Sequence, residues 1–233
     1  MPIGELNAVE RYFLLLLYAP DYTEKFAQPI RGRTWLQKEM FLLSKLVRGL
    51  GEQTEYDPNI MGSYSLIVDE VEDQFYISEF AERIGDSLKL SLEGRKLAEE
   101  VWIRTSEEEK QIASGVKTLL NDMSQLELLG FIYTEYPETA INSEKKLEVE
   151  ARRLDIAISL LQKGKVPLEK AAEIAKQPVE AFLQRLRERG IDLSSIETKS
   201  ILLDRSLLEE IEQSREESKS RQLVRWESVR TNP

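Results

Sequence analysis

Residues 61–102 read MGSYSLIVDEVEDQFYISEFAERIGDSLKLSLEGRKLAEEVW, and this stretch decides the fold. Its first part has apolar residues three and four positions apart, which predicts a helix with one buried face and an N-cap at Ser63 or Ser65. These apolar residues are Leu66, Ile67, Val71, Phe75 and Tyr76. A turn at Gly85-Asp86 and the alternation in residues 88–92 predict a β-hairpin, and a second helix follows as far as Trp102. Helix, hairpin and helix in this order predict a winged helix.

Several blocks in and around this stretch resemble one known family. Gly62-Ser63-Tyr64-Ser65 is similar to a helix start in the winged-helix domain of prokaryotic phage-associated and antitoxin-type proteins, the Panacea group and its archaeal relatives. That group's wing exit, Leu-Ser/Thr-x-x-Gly, follows in the same order. Residues 34–43 resemble an upstream helix of the group, and residues 127–137 resemble a downstream block. The resemblance implies a winged-helix domain within residues 1–143.

The residue types exclude most enzyme classes. The chain has no cysteine and no histidine, so disulfides, the common zinc sites and all Ser-His or Cys-His catalytic arrangements are excluded. No Gly-rich phosphate loop is present, and no carboxylate pair stands out among 42 acidic residues. We therefore expect a protein that is not an enzyme and that uses no metal and no cofactor. An enzyme using Asp, Glu and a hard metal such as magnesium remains an alternative without a named site.

The apolar runs are too short for a membrane span. The longest is Tyr12–Ala19, whereas roughly 20 apolar residues are needed to cross a bilayer. The first residues contain no basic region and no cleavage site. We therefore expect a cytoplasmic protein that does not contact membranes.

The rest of the pattern predicts a mainly α-helical protein in three parts. A winged-helix domain with flanking helices covers residues 1–140, a helix-turn-helix unit covers 147–200, and a charged helical or disordered tail covers 204–233. Within the first domain, the flanking helices are predicted at residues 7–19, 35–48 and 106–129, and the polar residues 138–146 are the best linker.

The predicted helix-turn-helix consists of a short helix at Pro167–Ala175, a turn at Lys176-Gln177 and a second helix at Pro178–Arg189. Residues 151–193 resemble a family of small prokaryotic antitoxin-like proteins, mostly of unknown function. The matching residues are Gly164-Lys165-Val166, Ala171-Ala172-Glu173, Phe182-Leu183 and Gly190-Ile191. Lys176 replaces a glycine that is usual in that family. A left-handed conformation there would cost lysine about 1 kcal/mol, so we expect a slightly different turn.

Charge is distributed unevenly along the chain. Residues 51–150 contain 9 Lys/Arg and 23 Asp/Glu, a net charge of −14, whereas the rest of the chain is slightly basic. DNA binding requires cations on the docking face, and the helix that a winged helix would insert into DNA carries carboxylates there instead. We expect this domain to bind a protein partner through these carboxylates, or to pair with itself. The end of the tail is either disordered or a short partner-binding peptide anchored by Trp226. The carboxylates are those of Asp69, Glu70, Glu72 and Asp73.

The C-terminal unit is better suited to DNA. Glutamine and arginine are the side chains that read adenine and guanine edges in the major groove, and neighbouring lysines can contact phosphates. The predicted DNA-binding residues of this unit are Gln184, Arg185, Arg187, Lys165, Lys170 and Lys176. The alternative is that they are ordinary solvated charges on a small helical packing module. Arg31 and Arg33, in a loop before a helix, are either solvated charges or a further phosphate contact.

These features lead to two hypotheses. The first is a prokaryotic DNA-binding transcriptional regulator or antitoxin-like protein, which binds duplex DNA mainly through the helix-turn-helix. It is expected to be a homodimer, because one such module covers only a half-site. The second is a non-catalytic interaction scaffold, or a protein that neutralises a cognate toxin, in which the acidic domain binds the partner.

Overall fold

The computed structural model describes residues 3–191 and 206–217, which form a mainly helical protein with two small antiparallel sheets. Its helices are α1 (Ala8–Tyr18), α2 (Arg33–Leu46), α3 (Gly51–Thr54), α4 (Leu66–Ile77), α5 (Leu92–Arg104), α6 (Glu107–Leu120), α7 (Gln125–Glu135), α8 (Lys146–Gln162), α9 (Leu168–Ile174), α10 (Val179–Glu188) and α11 (206–217). Short 3-10 helices lie at Ile3–Glu5 and Pro137–Ala140. The strands are β1 (Asp57–Asn59), β2 (Gly62–Tyr64), β3 (Ala81–Ile84) and β4 (Ser87–Leu90).

The predicted order of helix, hairpin and helix is present as α4, β3–β4 and α5. Ser65 is the N-cap of α4, and its hydroxyl accepts a hydrogen bond from the Val68 backbone N–H at 3.2 Å. Upstream of α2, Ile30 forms an isolated antiparallel bridge with Leu88 of the hairpin. The β1–β2 hairpin was not predicted, because its strands are only three residues long and one contains proline.

The buried face of α4 differs from the predicted one. Val71 and Phe75 are buried as expected, and Val68 joins them, but Leu66 is 63% exposed and Tyr76 is 47% exposed. At 3.6 residues per turn, Leu66 points away from the Val68, Val71 and Phe75 side of the helix. The sequence pattern predicted that Leu66 and Tyr76 are buried because they are apolar. The side of α4 that packs against the core is instead the side of Val68, Val71 and Phe75.

The exit from the hairpin explains the Leu-Ser-x-x-Gly motif. Leu90 is buried, and Ser91 caps α5 by accepting a hydrogen bond from the Gly94 N–H at 3.0 Å. A Cβ on Gly94 would lie 1.8 Å from the Phe80 carbonyl oxygen. Only glycine therefore allows α5 to begin this close to the start of the hairpin.

The helix predicted at residues 106–129 is two helices, α6 and α7. They separate at residues 121–124, where Ser124 forms a capping box with Glu127 and its backbone N–H donates to the Glu127 carboxylate at 2.6 Å. The cap starts a new helix, although the apolar pattern continues through the break.

The C-terminal helices follow the prediction closely. Lys176, at the corner between α9 and α10, has φ +54°, so the left-handed turn is retained despite the loss of glycine, and the expectation of a different turn is wrong. The predicted linker is packed against the rest of the protein: the Glu144 N–H donates to the Ile60 carbonyl at 3.0 Å, and Ala140 is buried. In α11 the predicted apolar face is buried. Its residues are Leu207, Leu208 and Ile211.

One hydrophobic cluster extends through both predicted units and includes α11. Across the two described ranges, no helix combines the length and apolarity that a membrane span requires.

Candidate nucleic-acid and partner interfaces

Helix α10 presents the strongest candidate for a nucleic-acid contact. Phe182 and Leu186 are buried against the protein, and the opposite side of the helix is exposed. Arg185 and Arg187 point about 160° apart around the helix, so they flank the outward line on either side. That line contains Ala181, Gln184 and Glu188.

The polar side chains of α10 differ in the hydrogen bonds and ion pairs that they form within the protein. The Gln184 side-chain amide donates to Glu188 at 3.0 Å, and Arg185 forms an exposed ion pair with the same carboxylate at 3.1 Å. Within residues 3–191 and 206–217, Arg187 has neither an ion pair nor a side-chain hydrogen bond. The two arginines therefore remain available on the surface, since an exposed ion pair is held by roughly 0–1 kcal/mol.

Lys165 and Lys170 were predicted to face outward, and the structure corrects this. Lys165 is 8% exposed, and its Nζ lies 2.7 Å from the Asp122 carboxylate and donates to the Thr118 carbonyl. Lys170 is 5% exposed and lies within 3 Å of carboxylate oxygens from three other helical positions, Glu135, Glu173 and Glu212. Both ammonium groups are used inside the protein and do not contribute to an outward basic surface.

Electrostatics support this correction for Lys170. Burial lowers the pKa of a lysine, but the carboxylates of Glu135, Glu173 and Glu212 outweigh it and raise the pKa of Lys170 above its ordinary value. Arg215 of α11 completes the cluster by donating to Glu173 at 2.6 Å. The cluster joins α7, α9 and α11.

Lys176 is exposed at the corner before α10 and forms an ion pair with Glu150 of α8 at 3.0 Å. A hydrogen bond from Arg153 is the main reason why the pKa of Glu150 is lowered to about 2, and Lys176 adds to it. Lys176 therefore lies near α10 but is directed toward α8.

Arg31 and Arg33 are committed to contacts within the chain. Arg31 donates to the Met123 carbonyl at 2.9 Å and its guanidinium lies 5.2 Å from the Trp35 ring centroid. Arg33 lies between Asp69 and Glu72, at 3.1 and 3.4 Å. A phosphate contact at this loop would have to displace these carboxylates.

The acidic face of α4 is smaller than predicted. Glu72 is only 2% exposed and pairs with Arg83 at 2.7 Å, because a buried carboxylate requires a cation. Asp69 is partly buried beside Arg33. Glu70 and Asp73 are exposed, so two of the four predicted carboxylates remain for a partner. Trp226 lies outside the described residues.

The outward face of α4 also carries apolar residues that were not among the predicted partner-binding residues. Leu66 and Ile77 are 63% and 79% exposed, and they lie in line with Glu70 and Asp73. The spacing of these four residues, i, i+4, i+7 and i+11, is that of one helix face and was readable from the sequence.

Two buried ionisable groups were also missed. Lys38 is 1% exposed, its Nζ donates to the Ser63 carbonyl at 2.6 Å, and burial lowers its pKa to about 7. Glu39 is 0% exposed, and burial raises its pKa well above the ordinary value despite the nearby charge of Lys117. A substrate cannot reach either group. In the part of the chain that the structure describes, no group of three or more acidic residues is arranged to hold a metal ion.

Comparison with known proteins concerns the C-terminal half. Residues 132–214 match a family described as "Uncharacterised protein family (UPF0175)". A UPF0175 protein of Archaeoglobus fulgidus is 48% identical over 56 residues, which are 24% of this chain and 63% of the relative. The chain thus spans less than two thirds of that relative's length. No solved structure matches the chain.

The match covers the end of α7, helices α8 to α10 and most of α11. The prediction of a small, mostly uncharacterised family in the C-terminal part is supported, whereas its antitoxin-like and helix-turn-helix character stays a prediction. Residues 1–131 lie outside the match, and the Panacea-like assignment of the N-terminal domain stays a prediction.

Proposed function

We propose that this protein is a prokaryotic DNA-binding regulator that contacts duplex DNA through α10. The observation that carries the proposal is the α9–corner–α10 arrangement, with Arg185 and Arg187 on either side of the exposed face of α10. A helix in the major groove reads base edges with the middle of its outward face and contacts phosphates with its flanks.

The side chains of α10 suit these two tasks. Ala181 is small and permits close approach of the helix to the bases, and Gln184 can pair bidentately with adenine. The arginines replace their exposed intramolecular contacts with phosphates or guanine edges at little cost. Glu188 lies in the last turn of α10 beside Arg185 and Arg187, so its carboxylate opposes DNA and weakens the contact there.

The N-terminal half has a different role in this proposal. The order α1, Ile30 bridge, α2, α4, β3–β4 and α5 supports a winged helix, in which the isolated bridge to Leu88 ties the segment before α2 to the hairpin. Its α4 presents Glu70 and Asp73, which repel phosphates. We propose that this domain assembles the protein or binds a partner, and that a homodimer presents two α10 helices to two half-sites.

The test uses a pool of random duplex DNA at low salt and, after selection, the preferred sequence. Arg185→Ala and Arg187→Ala are each expected to weaken binding about tenfold, which corresponds to roughly 1.4 kcal/mol per lost contact. If the lost contact is one to phosphate, the slope of log K against log salt also becomes smaller in magnitude by about one in the variant. Binding is measured by fluorescence anisotropy.

Arg152→Ala is the matched control, since Arg152 is an exposed arginine on α8 in the same half of the protein. It is expected to leave DNA binding unchanged. Absence of any duplex binding by the wild-type protein at low salt, or equal losses in all three variants, contradicts the proposal.

A non-catalytic interaction protein, such as a scaffold or a protein that neutralises a cognate toxin, is the second candidate. It is favoured by the exposed apolar residues Leu66 and Ile77 beside the carboxylates of α4. A stoichiometric protein partner that remains bound after nuclease treatment, and is lost in Glu70→Lys/Asp73→Lys, would support it. Retention of the partner by that variant would contradict it.

A further inference from the structure

Helix α4 carries an outward surface that combines apolar and acidic side chains, which we call the α4 stripe. It consists of Leu66, Glu70, Asp73 and Ile77, which follow one another at intervals of four, three and four residues along one side of the helix. The two apolar ends are among the most exposed large hydrophobic residues of the described ranges, at 63% and 79%. They lie about 16 Å apart along the helix axis, one on each side of the two carboxylates.

The charge of the stripe is only partly neutralised. Arg83 and Arg33 reach Asp73 at 3.1 and 3.6 Å, and both are shared with the buried Glu72. Glu70 has no ion pair within the described part of the chain. The stripe therefore fits a ligand that is both cationic and apolar.

Residues 218–233 of the chain have this composition. They read SKSRQLVRWESVRTNP and contain four cations, Lys219, Arg221, Arg225 and Arg230, against one acidic residue, Glu227. Their large apolar residues are Leu223, Val224, Trp226 and Val229. The segment is thus complementary to the stripe in both charge and apolar content.

The described structure ends close enough to the stripe for this segment to reach it. On α11, the Ser214 hydroxyl donates to the Lys45 carbonyl at the end of α2 at 3.0 Å, and Ser214 and Glu217 line one open pocket of about 830 Å³ together with Gly51 of α3. Helix α3 in turn contacts the start of α4, where the Ser65 hydroxyl donates to the Thr54 carbonyl.

Residues 218–233 are long enough to reach the stripe. The 16 residues after Glu217 can span up to about 50 Å when extended, whereas α4, with 12 residues, is about 18 Å long. We propose that residues 218–233 bind the α4 stripe of their own chain, with the arginines at Glu70 and Asp73 and the apolar side chains at Leu66 and Ile77. This inference does not depend on DNA binding.

The absence of cysteine allows a direct test in the full-length protein. Ser78→Cys, at the end of α4, and Ser228→Cys carry spin labels, and the distance between the labels is measured by pulsed electron paramagnetic resonance. The expected result is one narrow distribution within about 30 Å, since α4 itself is only about 18 Å long. A broad distribution centred at longer distance overturns the proposal.

Dilution of the doubly labelled protein with excess unlabelled protein separates binding within a chain from binding between chains. The short distance is expected to persist. Its loss on dilution would mean that the segment binds a second copy, and would overturn the assignment to the same chain.

Charge variants test the contacts themselves. Glu70→Lys/Asp73→Lys is expected to broaden the distribution, and adding Arg225→Glu/Arg230→Glu to it is expected to restore the narrow peak. Glu100→Lys/Glu144→Lys, which changes net charge equally at exposed positions elsewhere, is expected to leave the peak unchanged. Circular dichroism confirms that each variant is folded. Equal effects of the two double-lysine variants, or no rescue, contradict the proposal.

Discussion

The buried ammonium group of Lys170 stabilises three helices at once. Lys170→Met removes the cation that lies 2.9 Å from Glu135, which is 1% exposed, and leaves that buried carboxylate with only the more distant Arg215, at 3.6 Å, as a counter-charge. We expect a loss of about 3–5 kcal/mol in the free energy of unfolding, measured by urea denaturation. Lys176→Ala, which breaks an exposed ion pair with Glu150, is expected to cost about 0–1 kcal/mol. Similar losses in the two variants would contradict the buried ion cluster.

The backbone conformation of Lys176 destabilises the protein, in contrast to the ion pair of its side chain, which stabilises it. Its φ of +54° lies in the left-handed region, which glycine adopts without the roughly 1 kcal/mol that a Cβ costs. We expect Lys176→Gly to be about 1 kcal/mol more stable than Lys176→Ala, because both lack the ion pair and only glycine relieves the backbone. Equal stability of the two variants would argue against a left-handed corner.

The buried ammonium group of Lys38 makes the stability of the protein depend on pH. Burial lowers its pKa from 10.5 to about 7 in the folded protein, so between pH 7 and pH 10 the unfolded chain binds more protons at this residue. Its contribution to stability therefore increases with pH in this range. At pH 8.5 the wild-type protein is expected to take up about one proton at Lys38 when it unfolds, and Lys38→Met is expected to abolish this uptake. The number of protons is determined from the pH dependence of the free energy of unfolding. An unchanged pH dependence would contradict the burial of a lysine here.

At the scale of elements, the start of α5 depends on Gly94. We expect Gly94→Ala to destabilise the protein by about 1–3 kcal/mol, since the new methyl group would overlap the Phe80 carbonyl and the backbone must move. Gly115→Ala, in the middle of α6, is the control: its Cβ would meet only the flexible end of Leu207, and alanine favours the helix. Thermal denaturation compares the two, and equal shifts in Tm would contradict the close contact.

Some boundaries of the helices can be predicted from the sequence, and others cannot. The caps at Ser65 and Ser91 and the corner before α10 were predictable, because they depend on residues within one helical turn. The separation of α6 from α7 was missed, although Ser124 and Glu127 form a recognisable capping box. The apolar spacing continues across the break, and periodicity alone does not report where one helix ends and the next begins.

For the whole molecule, acid stability depends on contacts between distant elements. Burial raises the pKa of Glu109, but hydrogen bonds from Tyr12, Ser106 and Arg11 outweigh it and hold that pKa at about 2. Because this pKa is lower in the folded state, the contribution of Glu109 is complete above about pH 4.5 and is lost as the pH falls toward 2. We expect Glu109→Gln to reduce the decrease in stability between pH 4.5 and pH 2. An identical acid profile in this variant would exclude a coupling between α1 and α6 through Glu109.

The sequence by itself determined the local elements of this protein: helix starts, the β3–β4 hairpin, the α9–α10 corner and the apolar face of α11. These follow from capping, periodicity and turn chemistry, which act over a few residues. Only the tertiary structure decided which charges reach the surface. Lys170 and Glu72 occupy helix positions that a linear pattern assigns to solvent, yet partners from other elements stabilise both charges inside the protein. Whether a charge is buried depends on a counter-charge that the fold brings from elsewhere, and the order of residues along a single helix does not contain that information.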